Sequence, residues 1–151
     1  MIEFDRSILG KEFVLGTFQV SAEMMLAFAH AVGETSPQYV DPDAAQQTAS
    51  GGLIAPPIFY DVFRADQMPD PKVQFGKISF NAGQRCEFYT PVRPGDTITL
   101  KTRITDVYEK TGRTGKMVFI VRETTYENQN GEKVAVVEQS QVRRESGAAR
   151  E

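Results

Sequence analysis

Ala55-Pro56-Pro57-Ile58-Phe59-Tyr60-Asp61-Val62-Phe63 is the run that decides the fold. Paired prolines suit a helix start, because proline lacks the N–H that a first turn leaves unbonded and its φ is already helical. Ile58, Phe59, Val62 and Phe63 then predict a helix with a wide apolar face. A helix apolar over that much of its circumference has to be wrapped by something.

The second half of the chain supplies the wrapper. Thr97 to Val107 alternates, with Ile98, Leu100 and Ile104 on one face and Thr97, Thr99, Lys101 and Arg103 on the other. Lys110 to Gly115 reads as a glycine-containing loop into a strand over Lys116 to Tyr126. Asn128-Gln129-Asn130-Gly131 holds the strongest hairpin signal in the chain and leads into Glu132 to Arg144. Long strands joined by short turns must be antiparallel neighbours. Upstream, Lys77 to Phe80 and Arg85 to Tyr89 read as strand segments broken near Gly83, and Pro91 to Asp96 reads as a turn.

The first half mixes a strand with helices. Glu12 to Val20 is β-prone, and Ser21 stands where an N-cap belongs. Met24, Met25, Phe28 and Val32 follow at helical spacing up to a Gly33 stop. Asp41-Pro42 opens a second, short helix through about Gln47. The expected class is α+β, an antiparallel sheet wrapped around a central α-helix, occupying residues 1–144, with a small polar tail over 145–151.

With 151 residues, 40% hydrophobic and 25% charged, the chain has the composition of a globular domain with a sizeable core. A net charge of −3 gives no reason to expect nucleic acid or an anionic membrane as partner. One cysteine rules out an internal disulfide, and one Cys with one His rules out a tetrahedral zinc site, so no metal is expected. No apolar run approaches membrane-spanning length and no secretory segment is visible, which reads as cytoplasmic.

Gly33-Glu34-Thr35-Ser36-Pro37-Gln38-Tyr39-Val40-Asp41-Pro42, followed by Gly51-Gly52-Leu53-Ile54-Ala55-Pro56-Pro57, resembles the active-site loop of the MaoC-like (R)-specific enoyl-thioester hydratases. The resemblance extends from about Glu12 to Arg144 and implies a hot-dog fold. In that family the loop reads roughly D-x-N-P-x-H-x-D-P, then I-x-H-G. Its Asp and His handle water, and the amide of the last Gly receives the thioester oxygen. Aligned without a gap, those three positions are Glu34, Tyr39 and Pro57, and the Asn position is Ser36. The pattern here is most similar to the dehydratase N-terminal branch, which pairs with a catalytic companion.

Each substitution removes a capability that hydration at C2–C3 requires: a base for water, an acid for the α-carbon, and donors for the enolate-like oxygen. Glutamate for aspartate moves the carboxylate by a methylene, and misplacement on that scale can cost ~10²-fold. A phenol, titrating near ~10, does not exchange a proton at neutral pH as an imidazole does. Proline has no N–H, and losing one oxyanion donor costs roughly 2.7–4 kcal/mol of transition-state stabilisation. The competing view is that Tyr39 and Pro57 are packing residues, Pro57 being a good first helical residue.

The resemblance therefore implies an acyl-thioester-binding subunit of an (R)-enoyl-CoA or ACP hydratase or 3-hydroxyacyl dehydratase. It would line the acyl tunnel while a partner chain with the intact motif does the proton chemistry. The substrate arrives as a CoA or carrier-protein thioester, with no other cofactor, and the expected assembly is a hetero-oligomer or, in isolation, a homodimer. Glu34 and Tyr39 occupy the degenerate catalytic positions; Ser36, Gly52, Ile54, Pro57 and Tyr60 are expected at the substrate. Arg113 and Lys116, in a basic loop with Lys110, are placed to meet a CoA phosphate or an acidic carrier, or else are simply solvated. His30 reads as a surface or interface residue and Cys86 as a buried, inert thiol. Asp41 and Asp96 read as cap and turn residues. Two alternatives stay open: a self-sufficient homodimeric hydratase using Glu34 as base, and a non-catalytic module that only binds acyl thioesters. A thioesterase ranks lower, for want of a placed nucleophile.

Overall fold

In the computed structural model, residues 1–146 are described. A five-stranded antiparallel sheet has the order β1 (Phe13–Gln19), β3 (Thr97–Gly112), β4 (Gly115–Glu127), β5 (Lys133–Arg144), β2 (Ile78–Phe88). Between β1 and β2 the chain makes α1 (Ala22–Ala31), α2 (Pro37–Val40) and α3 (Pro42–Ala45). The expected meander is present, with β3, β4 and β5 as consecutive antiparallel neighbours. Gly131, at φ 74°, closes the β4–β5 hairpin by donating its N–H to the Asn128 carbonyl at 3.0 Å. The predicted tail begins at Glu145, and its residues 147–151 lie outside the described residues.

The expected caps are also present. Ser21 Oγ accepts the Met24 N–H at 3.1 Å, and Asp41 Oδ1 accepts from Asp43 and Ala44 at 3.0 and 3.1 Å.

Three local readings need correction. The Ala55–Phe63 run is not an α-helix: residues Pro57–Val62 form a 3-10 helix, with Phe59 N–H bonded to the Pro56 carbonyl and Phe63 N–H to the Tyr60 carbonyl. Phe59, Tyr60 and Phe63 are its buried side chains, while Ile58 and Val62 are exposed. The strand break near Gly83 is a bulge within one continuous β2, in which Asn81 Oδ1 accepts the Gly83 N–H at 2.9 Å. The loop expected over Lys110–Gly115 is a two-residue turn, Arg113-Thr114, because Gly112 and Gly115 are paired.

The principal core fills the space between the 3-10 segment, α1 and the inner face of the sheet. Phe59 lies at its centre with Met25, Ile98, Leu100, Tyr126, Ala135 and Val137. Phe59 meets Phe28 and Phe63 edge-on, with centroids 5.4 Å apart in both cases. A second cluster lies further along the inner face, where Ile8 and Val73 cover Ile104, Val118 and Ile120.

Candidate functional site

The site is built where two loops are stitched together beside the start of the 3-10 helix. Gly33 ends α1, and the Glu34 N–H bonds back to the Ala29 carbonyl at 2.9 Å, turning the chain toward α2. Proline at the first position of α2 presets its φ, and this single turn carries Tyr39. The Ile54 N–H donates to the Gln38 carbonyl at 3.0 Å, and the Ala55 N–H to the Val92 carbonyl at 2.9 Å. These two bonds hold the extended Leu53–Pro56 segment between α2 and the turn that follows β2.

That turn is itself tied down. Asp96, 8% exposed, accepts the Arg93 N–H at 2.8 Å and the Gln129 side-chain amide at 3.0 Å. Arg93 Nη2 donates to the Ser50 carbonyl at 2.6 Å, so the same turn anchors the glycine-rich loop. Asp96 is a turn residue, as its sequence setting implies.

The concavity these elements enclose measures about 100 Å³ and is mainly apolar. Tyr39, Ile54, Pro56 and Pro57 form one wall, with Phe88, Pro91 and Val134 opposite. Three of the sequence-predicted residues, Tyr39, Ile54 and Pro57, thus meet at one place. Phe88 and Val134 escaped the sequence reading, because they join the site only through the pairing of β2 with β5.

The other predicted residues sit elsewhere. Glu34 is half-buried, Ser36 exposed and Gly52 half-buried, and none of them lines this pocket. Tyr60 lies behind it: its ring is 6.0 Å from that of Phe88, while its hydroxyl faces Cys86 Sγ at 3.3 Å and accepts from Gln84 Nε2 at 3.1 Å. Burial, reinforced by the Cys86 thiol, pushes the Tyr60 phenol up to about 12. Burial also raises Tyr126, with Tyr60 beside it as a smaller cause. Both hydroxyls therefore act as neutral hydrogen-bonding groups at physiological pH. His30 is exposed and Cys86 half-buried against Tyr60 rather than fully enclosed.

Arg113 and Lys116 are far from this pocket within the chain. Their hairpin turn adjoins the Met117–Arg144 pair, whereas Phe88 and Val134 lie at the Tyr126–Ala135 end. Nine strand residues separate the two ends, about 30 Å. Lys116 Nζ also has a partner of its own, Glu109 Oε2 at 2.6 Å, and lies over the Phe75 ring. A concavity of about 530 Å³ between β1 and residues 66–69 contains none of the predicted residues.

Among the described residues, no group of three or more His, Cys, Asp or Glu side chains could hold a metal ion. No helix among them is long and apolar enough to cross a membrane.

Residues 7–137 match the family described as "FAS1-like, dehydratase domain region". The chain belongs to that family. A UPF0336 protein of Streptomyces griseus is 31% identical over 115 residues, covering 72% of this chain and 76% of the relative. A probable enoyl-CoA hydratase alpha subunit of Thermomonospora curvata is 28% identical over 138 residues, covering 80% of this chain and 43% of that longer protein. In three dimensions the chain is similar to a MaoC-like dehydratase of Rhodospirillum rubrum, with TM-score 0.70, 21% identity, and 93% and 94% of the two chains covered. It is also similar to a chain of the HadBC (3R)-hydroxyacyl-ACP dehydratase complex of Mycobacterium tuberculosis, with TM-score 0.67, 25% identity, and 91% and 98% covered. The hot-dog architecture and the MaoC-like hydratase/dehydratase kinship expected from the sequence both hold.

Proposed function

We propose that this chain is the acyl-thioester-binding half of an (R)-enoyl-thioester hydratase or 3-hydroxyacyl dehydratase, and that a partner bearing the intact Asp-x-Asn-Pro-x-His motif supplies the proton chemistry. The observation that carries this reading is Pro57. It begins the 3-10 helix and lines the apolar pocket together with Tyr39. A helix start normally offers free N–H groups to a developing oxyanion. Here residues 56 and 57 are both proline, and the N–H of Phe59 is already bonded to the Pro56 carbonyl. The pocket keeps an apolar shape suited to an acyl chain, yet its oxyanion donor and its imidazole are both replaced.

A partner is supported on two grounds. The HadBC relative is a complex, and the Thermomonospora relative is named as a subunit. The chain also has a suitable edge: β2 is outermost in the sheet, and most of its eleven residues are exposed. Two similar sheets joined through this edge about a two-fold axis must run antiparallel. That arrangement sets the Gly112–Gly115 end of one chain beside the pocket end of the other. Arg113 of this chain would then serve the partner's thioester, which reconciles its distance from its own pocket with a role at a CoA or carrier phosphate.

The test is turnover of a 2-enoyl-CoA by the purified chain, alone and with a motif-bearing MaoC-like partner. The chain alone should stay at background and the mixture should exceed the partner alone. A variant carrying Glu34→Asp, Ser36→Asn, Tyr39→His and Pro57→Gly should gain about 10²-fold or more over the parent chain. Brisk turnover by the unmodified lone chain, abolished by Glu34→Ala, would overturn the proposal.

A further inference from the structure

On the two strands nearest the β2 edge, the inner face of the sheet changes character part-way along. Paired residues on antiparallel strands share a face and alternate along it. Starting at the pocket, the inner pairs are Phe88 with Ala135 and Cys86 with Val137, both apolar. The next two are Gln84 with Gln139 and Asn81 with Gln141, both amides. The amide row continues onto β4, where Gln139 is paired with Arg122. A row of hydrogen-bonding groups thus crosses three strands between the two apolar core clusters.

Above this row lies a cleft of about 480 Å³, a volume suited to a small-molecule ligand. Phe28, Val32 and Ile58 form its apolar side; Tyr60, Asn81, Gln84 and Gln139 form its polar side, with the Asp61 carboxylate at the rim. Gln139 and Asp61 also line a second concavity, of about 300 Å³, that reaches Thr124 and Tyr126. Hydrogen-bonding capacity here is not used up within the chain. Gln84 spends one of its two amide protons on Tyr60 Oη, and Asn81 uses its Oδ1 to accept the Gly83 N–H but keeps its own amide protons.

The cleft adjoins the pocket. Ile58 follows Pro57 directly, and the Tyr60 ring of the cleft is 6.0 Å from the Phe88 ring of the pocket. From Phe88 to Gln84 is four strand residues, about 13 Å. A group extending from the pocket along the sheet therefore meets apolar surface first and amides afterwards.

We infer that the acyl group this chain accommodates carries oxygen, as hydroxyl or ketone, at its end distal to the thioester, and that Gln139 and Gln84 recognise it. A plain hydrocarbon tail would strip water from these amides and return nothing, whereas an oxygenated tail replaces that water with hydrogen bonds. The inference rests on the acyl-binding reading above and narrows its substrate class.

The probes are decanoyl-CoA and ω-hydroxydecanoyl-CoA, titrated calorimetrically into the purified chain and its Gln139→Leu and Gln84→Leu variants, with thermal melts confirming that each variant folds. The expected result is about five- to tenfold tighter binding of the hydroxylated probe. Gln139→Leu should erase that preference while leaving decanoyl-CoA binding equal or tighter. Equal binding of both probes to the parent chain, or a preference that survives both leucine variants, overturns this inference and leaves the acyl-binding reading standing. Failure of both probes to bind overturns both readings.

Discussion

At one end of β4, Tyr126 packs against Tyr60 with ring centroids 5.5 Å apart, and the apolar pocket lies alongside. At the other end the strand emerges from the Arg113-Thr114 turn, where Arg113 is exposed and Lys116 pairs with Glu109 at the surface. Both ends hold residues that the sequence marked for the substrate, yet about 30 Å of strand separates them. One end is shaped by burial and the other presents charge. A single chain cannot bring them to one ligand; the antiparallel pairing proposed above would.

The largest expected effect falls at the buried end. Phe59→Ala removes a ring that is 1% exposed at the centre of the principal core. It should cost about 3–5 kcal/mol, read as a lower urea midpoint at unchanged slope. A loss under about 1 kcal/mol would mean that residues 57–62 are a surface flap and that the two ends differ less than the packing implies.

An intermediate effect depends on pH. Tyr60 is raised to about 12 when folded, against about 10 for an unfolded phenol. A phenol raised by folding contributes stability that is whole below the unfolded value and is lost as pH climbs toward the folded one. The chain should therefore weaken progressively between pH about 10 and about 12. Tyr60→Phe should flatten part of that fall, with Tyr126, raised in the same direction, accounting for the rest. Parallel pH curves for variant and parent would show that Tyr60 ionises as freely in the fold as out of it.

The smallest effect belongs to the charged end. Arg113→Ala combined with Lys116→Ala should change the melting temperature of the isolated chain little, since Arg113 is exposed and the Lys116–Glu109 pair lies at the surface. In complex with a catalytic partner the same double variant should raise KM for a CoA thioester by roughly threefold, an effect that fades at high salt. An unchanged KM at low salt would separate the basic turn from the substrate altogether.

Much of the scaffold was legible because local rules and tertiary packing agree. Ser21, Asp41 and Gly131 do what their chemistry favours in any context, and the alternation of Thr97–Val107 matches a sheet with one buried face. The misreadings have equally local causes. Ile58 and Val62 look apolar enough for an α-helix core, but residues Pro57–Val62 form a 3-10 helix in which both are exposed, and apolar character alone does not say which residues meet the sheet. Gly83 resembles a strand break because glycine marks breaks and bulges alike. Of the site, Tyr39, Ile54 and Pro57 were recoverable from the loop pattern, whereas Phe88, Val134 and the Gln84–Gln139 row were not.

The sequence by itself determined the strands of the meander, the helix caps, the hairpin order and the three altered positions, because propensity, capping and motif spacing act over a few residues. Only the tertiary structure decided which of those residues share a cavity, which end of the sheet holds the charge, and where the inner face turns from apolar to amide. Such facts depend on the register between strands as distant in sequence as β2 and β5. Register is set by the packing of the whole core and is not carried by any one segment.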